Sequence, residues 1–138
     1  MDERDVEGWF REYLAAYAAC GRGERETESL LEYYGVPLLI TTDGGVHSLA
    51  GGEQVVAGVR PQVEAMRRAG FDRSEVLGVE VTGLNAVSAL VRGSFSWQRP
   101  DGTEFHRVTV CYLVTDGPVG RRISVLAVQS PEAGAPLA

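Results

Sequence analysis

The sequence predicts an α+β fold in which three N-terminal helices pack on a curved antiparallel or mixed β-sheet. Helical apolar patterns fill the first half of the chain, and long alternating strand patterns fill the second half. The strand half also contains a turn sequence, Arg99-Pro100-Asp101-Gly102, between two strand-like runs. Such an arrangement is typical of a β-hairpin. We therefore expect the helices to cover one face of a single sheet.

The first helix is predicted from apolar residues that recur at i, i+3, i+4, i+7, i+8 and i+11 from Val6 to Tyr17. Asp5 is the predicted N-cap, because a short acidic side chain can accept hydrogen bonds from the first turn. Gly21 can adopt the left-handed conformation that ends a helix. A short second helix is predicted for residues 26–34, and Gly35 ends it.

The third helix is predicted for residues 53–69, with a stripe of apolar residues on one side and Gly70 at its end. The stripe consists of Val56, Val59, Val63 and Met66. Pro61 lies inside this helix and should kink it, because proline removes a backbone hydrogen bond. Strands are predicted at residues 37–42, 46–48, 73–82, 86–98, 103–115 and 121–129. They complete one domain over residues 6–130, with flexible termini at 1–5 and 131–138.

The hairpin predicts which strand residues face the helices. Pro100, Asp101 and Gly102 suit a type I turn closed by a left-handed glycine. In that register one largely apolar face pairs Arg99 with Thr103, Trp97 with Phe105, Phe95 with Arg107, Val91 with Cys111 and Ala89 with Leu113. The other face pairs Ser96 with His106, Ser94 with Val108, Arg92 with Val110 and Leu90 with Tyr112. We assign the first face to the helices; a shift of one residue would exchange the faces.

Composition excludes several classes of function. The net charge is −6 and all thirteen basic residues are arginine, so lysine nucleophiles and Schiff bases are excluded. Nucleic-acid binding is disfavoured because the arginines are not clustered. The acidic start does not resemble a signal peptide, and no apolar stretch is long enough to span a membrane. We expect a soluble cytoplasmic protein.

No metal or cofactor is expected from the residues available. Cys20 and Cys111 are far apart in sequence and lack CxxC spacing, and there are only two histidines. Both cysteines are expected to be small, reduced, buried side chains. Two Gly-Gly pairs, at 44–45 and 51–52, lack the strand–GxGxxG–helix context of a nucleotide site.

Features along most of the chain resemble the nuclear transport factor two-like superfamily, including its SnoaL-like and ketosteroid-isomerase-like branches. In the helical half, the features are the aromatic first helix ending in Ala19-Cys20-Gly21, the segment Leu30-Leu31-Glu32-Tyr33-Tyr34 before the strand 38–42, and the segments Gly51-Gly52-Glu53 and Ala69-Gly70-Phe71 at the two ends of the third helix. In the strand half, they are Asp101-Gly102 in the hairpin and the ending Tyr112-Leu113-Val114 with Gly120-Arg121-Arg122-Ile123. The resemblance implies a cystatin-like cone. It also implies a homodimer through the open sheet face, which the predicted register assigns to Leu90, Arg92, Val110 and Tyr112.

The resemblance to ketosteroid-isomerase-like enzymes implies three catalytic positions. Tyr13 lies at about the position of their oxyanion-binding tyrosine, and Asp43 at about that of their base. The second acid would fall near Val110, which cannot donate a hydrogen bond, so the chain departs from that pattern. The residues also allow simpler roles: Asp43 precedes Gly44-Gly45 and suits a turn, and Tyr13 suits the core.

His106 is the only histidine predicted within a long strand and would be a natural general base. The predicted register nevertheless places it on the outer face. Any cavity between helices and sheet would be lined by apolar and aromatic side chains, which would otherwise simply pack as core. The candidates are Tyr17, Tyr34, Met66, Trp97 and Phe105.

Three functions remain open from the sequence. The first is binding of a small organic molecule in an apolar pocket. The second is an isomerase, cyclase or dehydratase that abstracts a proton, with Asp43 or His106 as base and Tyr13 as donor. The third is an association module that uses only the open sheet face. An inward-pointing acid or base in a deep pocket would favour an enzyme, and a large apolar sheet face would favour association.

Overall fold

A computed structural model describes residues 1–129 and confirms the predicted α+β fold. The helical elements are α1 (Glu3–Gly21), a 3₁₀ helix (Thr27–Glu32) and α2 (Gly52–Ala69). The strands are β1 (Tyr34–Thr42), β2 (Gly45–Leu49), β3 (Arg73–Asn85), β4 (Ser88–Gln98), β5 (Glu104–Gly117) and β6 (Gly120–Val128). They form one sheet in the order β2-β1-β6-β5-β4-β3, in which only β1 and β6 run parallel. The predicted flexible segment 131–138 lies outside the described residues.

Helix α1 begins earlier than its apolar pattern predicts. The N-cap is Asp2 and not Asp5: its Oδ1 accepts hydrogen bonds from the backbone N–H groups of Arg4 at 2.8 Å and Asp5 at 3.0 Å. Residues 3–5, predicted as part of a flexible terminus, therefore form the first turn of α1. The acidic residues there are favourable because they face the positive end of the helix dipole.

The predicted second helix is a single short 3₁₀ segment. Tyr33 and Tyr34 are not helical because both form hydrogen-bonded contacts with β6. Tyr34 pairs with Ile123, and the Ile123 N–H donates to the Tyr33 carbonyl at 2.7 Å. Only six residues, Thr27–Glu32, remain for the helical segment. Strand pairing thus outweighs the local helical pattern.

Arginines fix the position of α2 against the rest of the fold. Arg67 donates through Nε to the carbonyl of Cys20 at 2.9 Å and through Nη2 to that of Arg25 at 3.0 Å. Arg99, beside the central hairpin, donates through Nε to the carbonyl of Ala69 at 2.9 Å. These bonds satisfy carbonyls near the ends of α1 and α2, where intrahelical partners run out. Helix α2 continues through Pro61.

The central hairpin forms the predicted turn but not the predicted register. Arg99 N–H bonds the Thr103 carbonyl at 2.9 Å and Gly102 has a φ of 87°, as the turn sequence requires. A bulge then makes Phe105 an extra residue, so that Trp97 pairs with His106. The predicted faces of β4 are right, and those of β5 from Phe105 onward are wrong.

The physical reason for the bulge is the position of Arg107. The predicted register places its guanidinium beside Phe95, inside the core, where a charge without a partner is costly. In the structure Arg107 lies on the outer face and bonds Glu104 at 3.0 Å, while Val108 takes the place opposite Phe95. Val110 and Tyr112, predicted for the outer face, are consequently buried against the helices.

The helices and the inner face of the sheet enclose one hydrophobic core. Its fully buried members come from every layer: Val6, Phe10, Cys20, Leu30, Tyr34, Leu38, Val55, Val63, Met66, Ala89, Val91, Val114 and Ile123. Cys20 is buried and Cys111 is half-buried, and neither forms a disulfide. No helix within residues 1–129 is long and apolar enough to cross a membrane.

Candidate functional site

A cavity of about 650 Å³ lies between α1, α2 and the inner face of the sheet. Most of its lining is aromatic or aliphatic, from residues Tyr13, Leu14, Tyr17, Tyr34, Ile40, Val59, Met66, Phe71, Phe95, Trp97, Val108, Val110, Tyr112, Leu126 and Val128. Exposed lining residues lie on β1 and α2 (Thr42 and Gln62) and also on the strand side (Arg92, Arg107 and Gln129), so the cavity is accessible from both regions. The inner wall of the cone is therefore mainly apolar, and two arginines, Arg92 and Arg107, also border the cavity.

Tyrosines from three elements meet at the buried end of the cavity. Tyr13 of α1 and Tyr34 of β1 share a hydrogen bond of 2.7 Å between their hydroxyl oxygens. Tyr112 of β5 lies edge-on to Tyr13, with ring centroids 6.0 Å apart, and Tyr17 lies 5.9 Å from Tyr13 on the next helical turn. We call Tyr13, Tyr17, Tyr34 and Tyr112 the tyrosine cluster.

Burial keeps the tyrosine cluster uncharged. Removal from water raises the pKa of Tyr13 and Tyr34 well above the usual range, and it also raises the pKa of Tyr17 and Tyr112. Neighbouring tyrosines raise these pKa values further in Tyr13, Tyr34 and Tyr112. All four side chains are therefore neutral phenols at ordinary pH and can donate hydrogen bonds.

A second aromatic group borders the cavity at the hairpin end. Trp97 stacks near Tyr17 at 6.4 Å between ring centroids and meets Phe71 edge-on at 6.3 Å. His106 lies across from Trp97, with ring centroids 4.8 Å apart. The bond from Arg99 to the end of α2 holds this hairpin in place. Aromatic walls of this kind offer a large apolar contact area.

His106 lines the cavity, whereas the predicted register placed it on the outer face. The bulge at Phe105 is the cause, because it turns every later residue of β5 to the opposite side. Histidine side chains often serve as general bases in enzymes. The proton-abstraction hypothesis therefore depends on His106.

Asp43 occupies an exposed turn between β1 and β2 and is not among the described lining residues. The turn is stabilised by the Thr42 hydroxyl, which accepts from the Gly44 N–H at 3.0 Å. This position does not bring the Asp43 carboxylate to the cavity, in agreement with the turn-forming role that Gly44-Gly45 suggests. No Asp or Glu appears among the described lining residues.

The structure brings most predicted pocket residues together. Tyr13, Tyr17, Tyr34, Met66 and Trp97 all line the cavity. Phe105 does not, because it is the bulged residue: its ring packs 6.4 Å from those of Phe71 and Trp97, with the Arg99 guanidinium 5.0 Å above it.

Sequence reasoning missed Tyr112, Val110 and Val108 as lining residues, because it placed them on the wrong face of β5. The signal that identifies them is the run His106, Val108, Val110, Tyr112 and Val114, which contains no arginine, whereas the alternate positions include Arg107. Within residues 1–129 no group of three or more His, Cys, Asp or Glu side chains could hold a metal ion.

Helices packed against the inner face of a mixed six-stranded sheet, with an aromatic cavity between them, define a cone-shaped α+β protein. In a comparison with models of known protein families, residues 2–131 match the family described as NTF2-like protein (DUF6841). The chain belongs to this NTF2-like family. No curated protein sequence matches it.

Solved structures with the same fold share little sequence with this chain. A domain of unknown function with a cystatin-like fold from Nostoc punctiforme is 20% identical, with a TM-score of 0.66 over 96% of this chain and 80% of its own. A putative calcium/calmodulin dependent protein kinase II association domain from Xanthomonas campestris is 15% identical, with a TM-score of 0.68 over 96% and 90%. An NTF2-like protein from Novosphingobium aromaticivorans is 18% identical, with a TM-score of 0.67 over 91% and 82%. At these identities the likeness shows the fold alone.

Proposed function

We propose that this protein binds a small, mainly apolar organic molecule in the cavity between its helices and its sheet. The observation that carries the proposal is the cavity itself, with a volume of about 650 Å³ and a wall of aromatic and aliphatic side chains. Small-molecule sites are typically concave, mostly apolar and about 300–1,000 Å³ in volume. The polar groups on the wall, among them the tyrosine cluster, His106, Arg92 and Arg107, would orient the ligand.

Filling the cavity should abolish binding without affecting the rest of the fold. Val108 is a half-buried lining residue on the inner face of β5. In Val108→Trp the indole would occupy space that the ligand needs. We expect naphthalene-based compounds to raise the melting temperature of the wild type and to leave that of Val108→Trp unchanged. Differential scanning fluorimetry measures both.

Val119→Trp is the matched control, because Val119 is 73% exposed in the turn between β5 and β6, away from the cavity. The control should respond to the compounds as the wild type does. Equal thermal shifts in all three proteins would show that the compounds bind elsewhere, and this result would contradict the proposal.

We further propose that the outer face of the sheet forms a homodimer interface. In the register of the sheet, Leu90 of β4 pairs with Leu113 of β5, and Leu113 pairs with Val125 of β6. The three strands therefore contribute a continuous apolar patch. Leu90 is 40% exposed although it is a large apolar side chain in the middle of the sheet. Arg92 borders the patch and donates to Gln129 Oε1 at 3.2 Å. Exposed apolar patches with polar rims are typical of association surfaces.

Leu90→Arg should prevent dimer formation, because it places a charge inside the proposed interface without removing a core side chain. Sedimentation velocity should report a dimer for the wild type and a monomer for Leu90→Arg. Val119→Arg adds the same charge at an exposed turn and should leave the dimer intact. A monomeric wild type at high micromolar concentration would refute this interface.

A further inference from the structure

The cavity extends over one edge of β5, near the beginning of that strand. Its lining includes every residue from His106 to Val110, although successive residues of a strand point to opposite faces of a sheet. Strand β6 is the neighbour on this side, and it ends at Val128, which pairs with Val110. Within the described residues no strand pairs with this edge of residues 104–108. The cavity therefore reaches the outer face of the sheet there, and we call this stretch the β5 opening.

Two arginines lie on the outer side of the β5 opening. Arg92 of β4 and Arg107 of β5 are both exposed, and both line the cavity. On the outer face they lie on either side of the hydrogen-bonded Ser94–Thr109 pair. Since long side chains reach their diagonal neighbours on a sheet, Arg92 can approach Thr109. The described lining includes no Asp or Glu, so the opening is positively charged in a protein of net charge −6.

Arg92 forms no ion pair with any residue in the part of the chain that the structure describes. Glu80 of β3 lies directly opposite Arg92 in the register, yet the guanidinium turns the other way, toward the end of β6. There its Nε and Nη2 atoms donate to one neutral amide oxygen, Gln129 Oε1, at 3.4 and 3.2 Å. Both bonds are long. Two neighbouring N–H groups of a guanidinium are the arrangement that binds a carboxylate through two parallel hydrogen bonds.

Arg107 differs from Arg92 because it already has a carboxylate partner. Its Nε and Nη2 atoms donate to Glu104 Oε2 at 3.2 and 3.0 Å. The Glu104 carboxylate also accepts a hydrogen bond from the Ser96 hydroxyl. Arg107 therefore contributes positive charge that Glu104 partly compensates, whereas Arg92 contributes an uncompensated charge and the better hydrogen-bonding edge.

An ionised carboxylate is the ligand group that suits Arg92. It would replace the neutral Gln129 oxygen with a charged acceptor, and charge-assisted hydrogen bonds are about twice as strong as neutral ones. Because Arg92 is exposed, a carboxylate there stays in contact with water and avoids the cost of burying an ion. An ammonium group at the same place would meet two positive charges and no carboxylate from the described lining.

We propose that the cavity binds an apolar carboxylic acid in its ionised form, with the carboxylate on Arg92 at the β5 opening and the apolar part inside the cavity. This inference rests on the proposed small-molecule binding and adds the chemical class of the ligand. Gln129 gives up its bond to Arg92 when the ligand binds. Arg107 adds a second positive charge on the other side of Thr109.

Three naphthalenes of nearly equal size test this assignment by isothermal titration calorimetry: 2-naphthoate, 2-naphthamide and 2-naphthylmethylammonium. We expect the wild type to bind 2-naphthoate about five to ten times more tightly than the neutral amide, the difference between charge-assisted and neutral hydrogen bonds. The ammonium compound should bind more weakly than the amide. The preference for 2-naphthoate should shrink in concentrated sodium chloride, because salt screens exposed charges.

Arg92→Gln removes the charge and leaves the apolar wall unchanged, so it should bind 2-naphthoate no more tightly than 2-naphthamide. Arg68→Gln is the matched control, because Arg68 is exposed near the end of α2 and is not among the described lining residues. It lowers the net charge of the protein equally and should keep the wild-type preference. Arg107→Gln provides a second variant should Arg92→Gln fold poorly, and it should also lower the preference.

Equal binding of 2-naphthoate and 2-naphthamide by the wild type would overturn this inference and leave the proposed function intact. A preference for 2-naphthoate that persists in Arg92→Gln, or that Arg68→Gln also loses, would overturn it as well. Undiminished binding of 2-naphthoate by Val108→Trp would place the ligand outside the cavity and have the same consequence. Binding of none of the three naphthalenes would contradict the proposed function itself.

Discussion

Phe10→Ala should lower the free energy of unfolding by about 3–5 kcal/mol, the usual cost of removing a buried phenyl ring. Phe10 is completely buried on α1 and contacts the rings of Tyr13, Phe95 and Tyr112, at 5.5, 6.5 and 4.8 Å between centroids. It therefore joins the helix to two strands of the sheet. Domains of this size have total stabilities of about 5–15 kcal/mol, so the loss is a large fraction. Urea unfolding followed by circular dichroism measures it.

The expected loss of stability in Phe10→Ala is large because the surrounding residues cannot move in to fill the cavity that the phenyl ring leaves. Helix α1 is held at its C-terminal end by the bonds from Arg67, and the cavity already lies next to Tyr13 and Tyr112. Phe10→Leu retains much of the apolar volume and should cost considerably less than Phe10→Ala. Arg11→Ala, one residue along on the exposed side, loses only a surface ion pair with Glu7, which is worth about 0.3–0.5 kcal/mol. A Phe10→Ala loss no larger than that of Arg11→Ala would contradict the described packing.

Much of the fold could be predicted because local signals and tertiary structure agree. The apolar spacing of α1 from Val6 to Tyr17 matches its buried face, and Gly70 ends α2 with a φ of 79°. The Pro100-Asp101-Gly102 turn forms as its residues indicate. The second helix was predicted too long because helical periodicity does not reveal that Tyr34 pairs with β6.

The register of β5 could not be obtained from turn chemistry alone. The turn determines pairing as far as Arg99 and Thr103, but a bulge two residues later depends on tertiary packing. With the bulge, Phe105 packs against Phe71, which is remote in sequence, and the Arg107 side chain stays on the outer face. A charge at a position predicted to face the core is the signal that a bulge intervenes.

The same error affected the candidate site. Residues on α1, β1, α2 and β4 were placed correctly on the inner side, because each of these elements has one clearly apolar face. Strand β5 has two partly apolar faces, so Tyr112 and His106 were assigned outward. In the structure both side chains lie on the inner face of β5. This position changes the chemistry of the site, because β5 then contributes a hydroxyl donor and an imidazole to the cavity wall.

Val110→Asp tests this register directly and should cost more than about 4 kcal/mol, because it buries a carboxylate without a partner. Val110 is 6% exposed on the inner face of β5, between the tyrosine cluster and Val108. We expect the variant to be largely unfolded by circular dichroism at neutral pH. Val110→Thr keeps the shape and adds a hydroxyl, so it should remain folded with a smaller, measurable loss in urea.

The neighbouring residue provides the matched comparison. Thr109 lies on the outer face, where its hydroxyl bonds that of Ser94 at 2.8 Å. Thr109→Asp loses this bond, worth about 1 kcal/mol, but leaves its new carboxylate in contact with water. The hairpin register without a bulge places residue 109 on the inner face and residue 110 on the outer face. It therefore predicts that Thr109→Asp destabilises the fold more than Val110→Asp does. Greater damage from Thr109→Asp than from Val110→Asp would therefore restore that register and remove Tyr112 and His106 from the cavity.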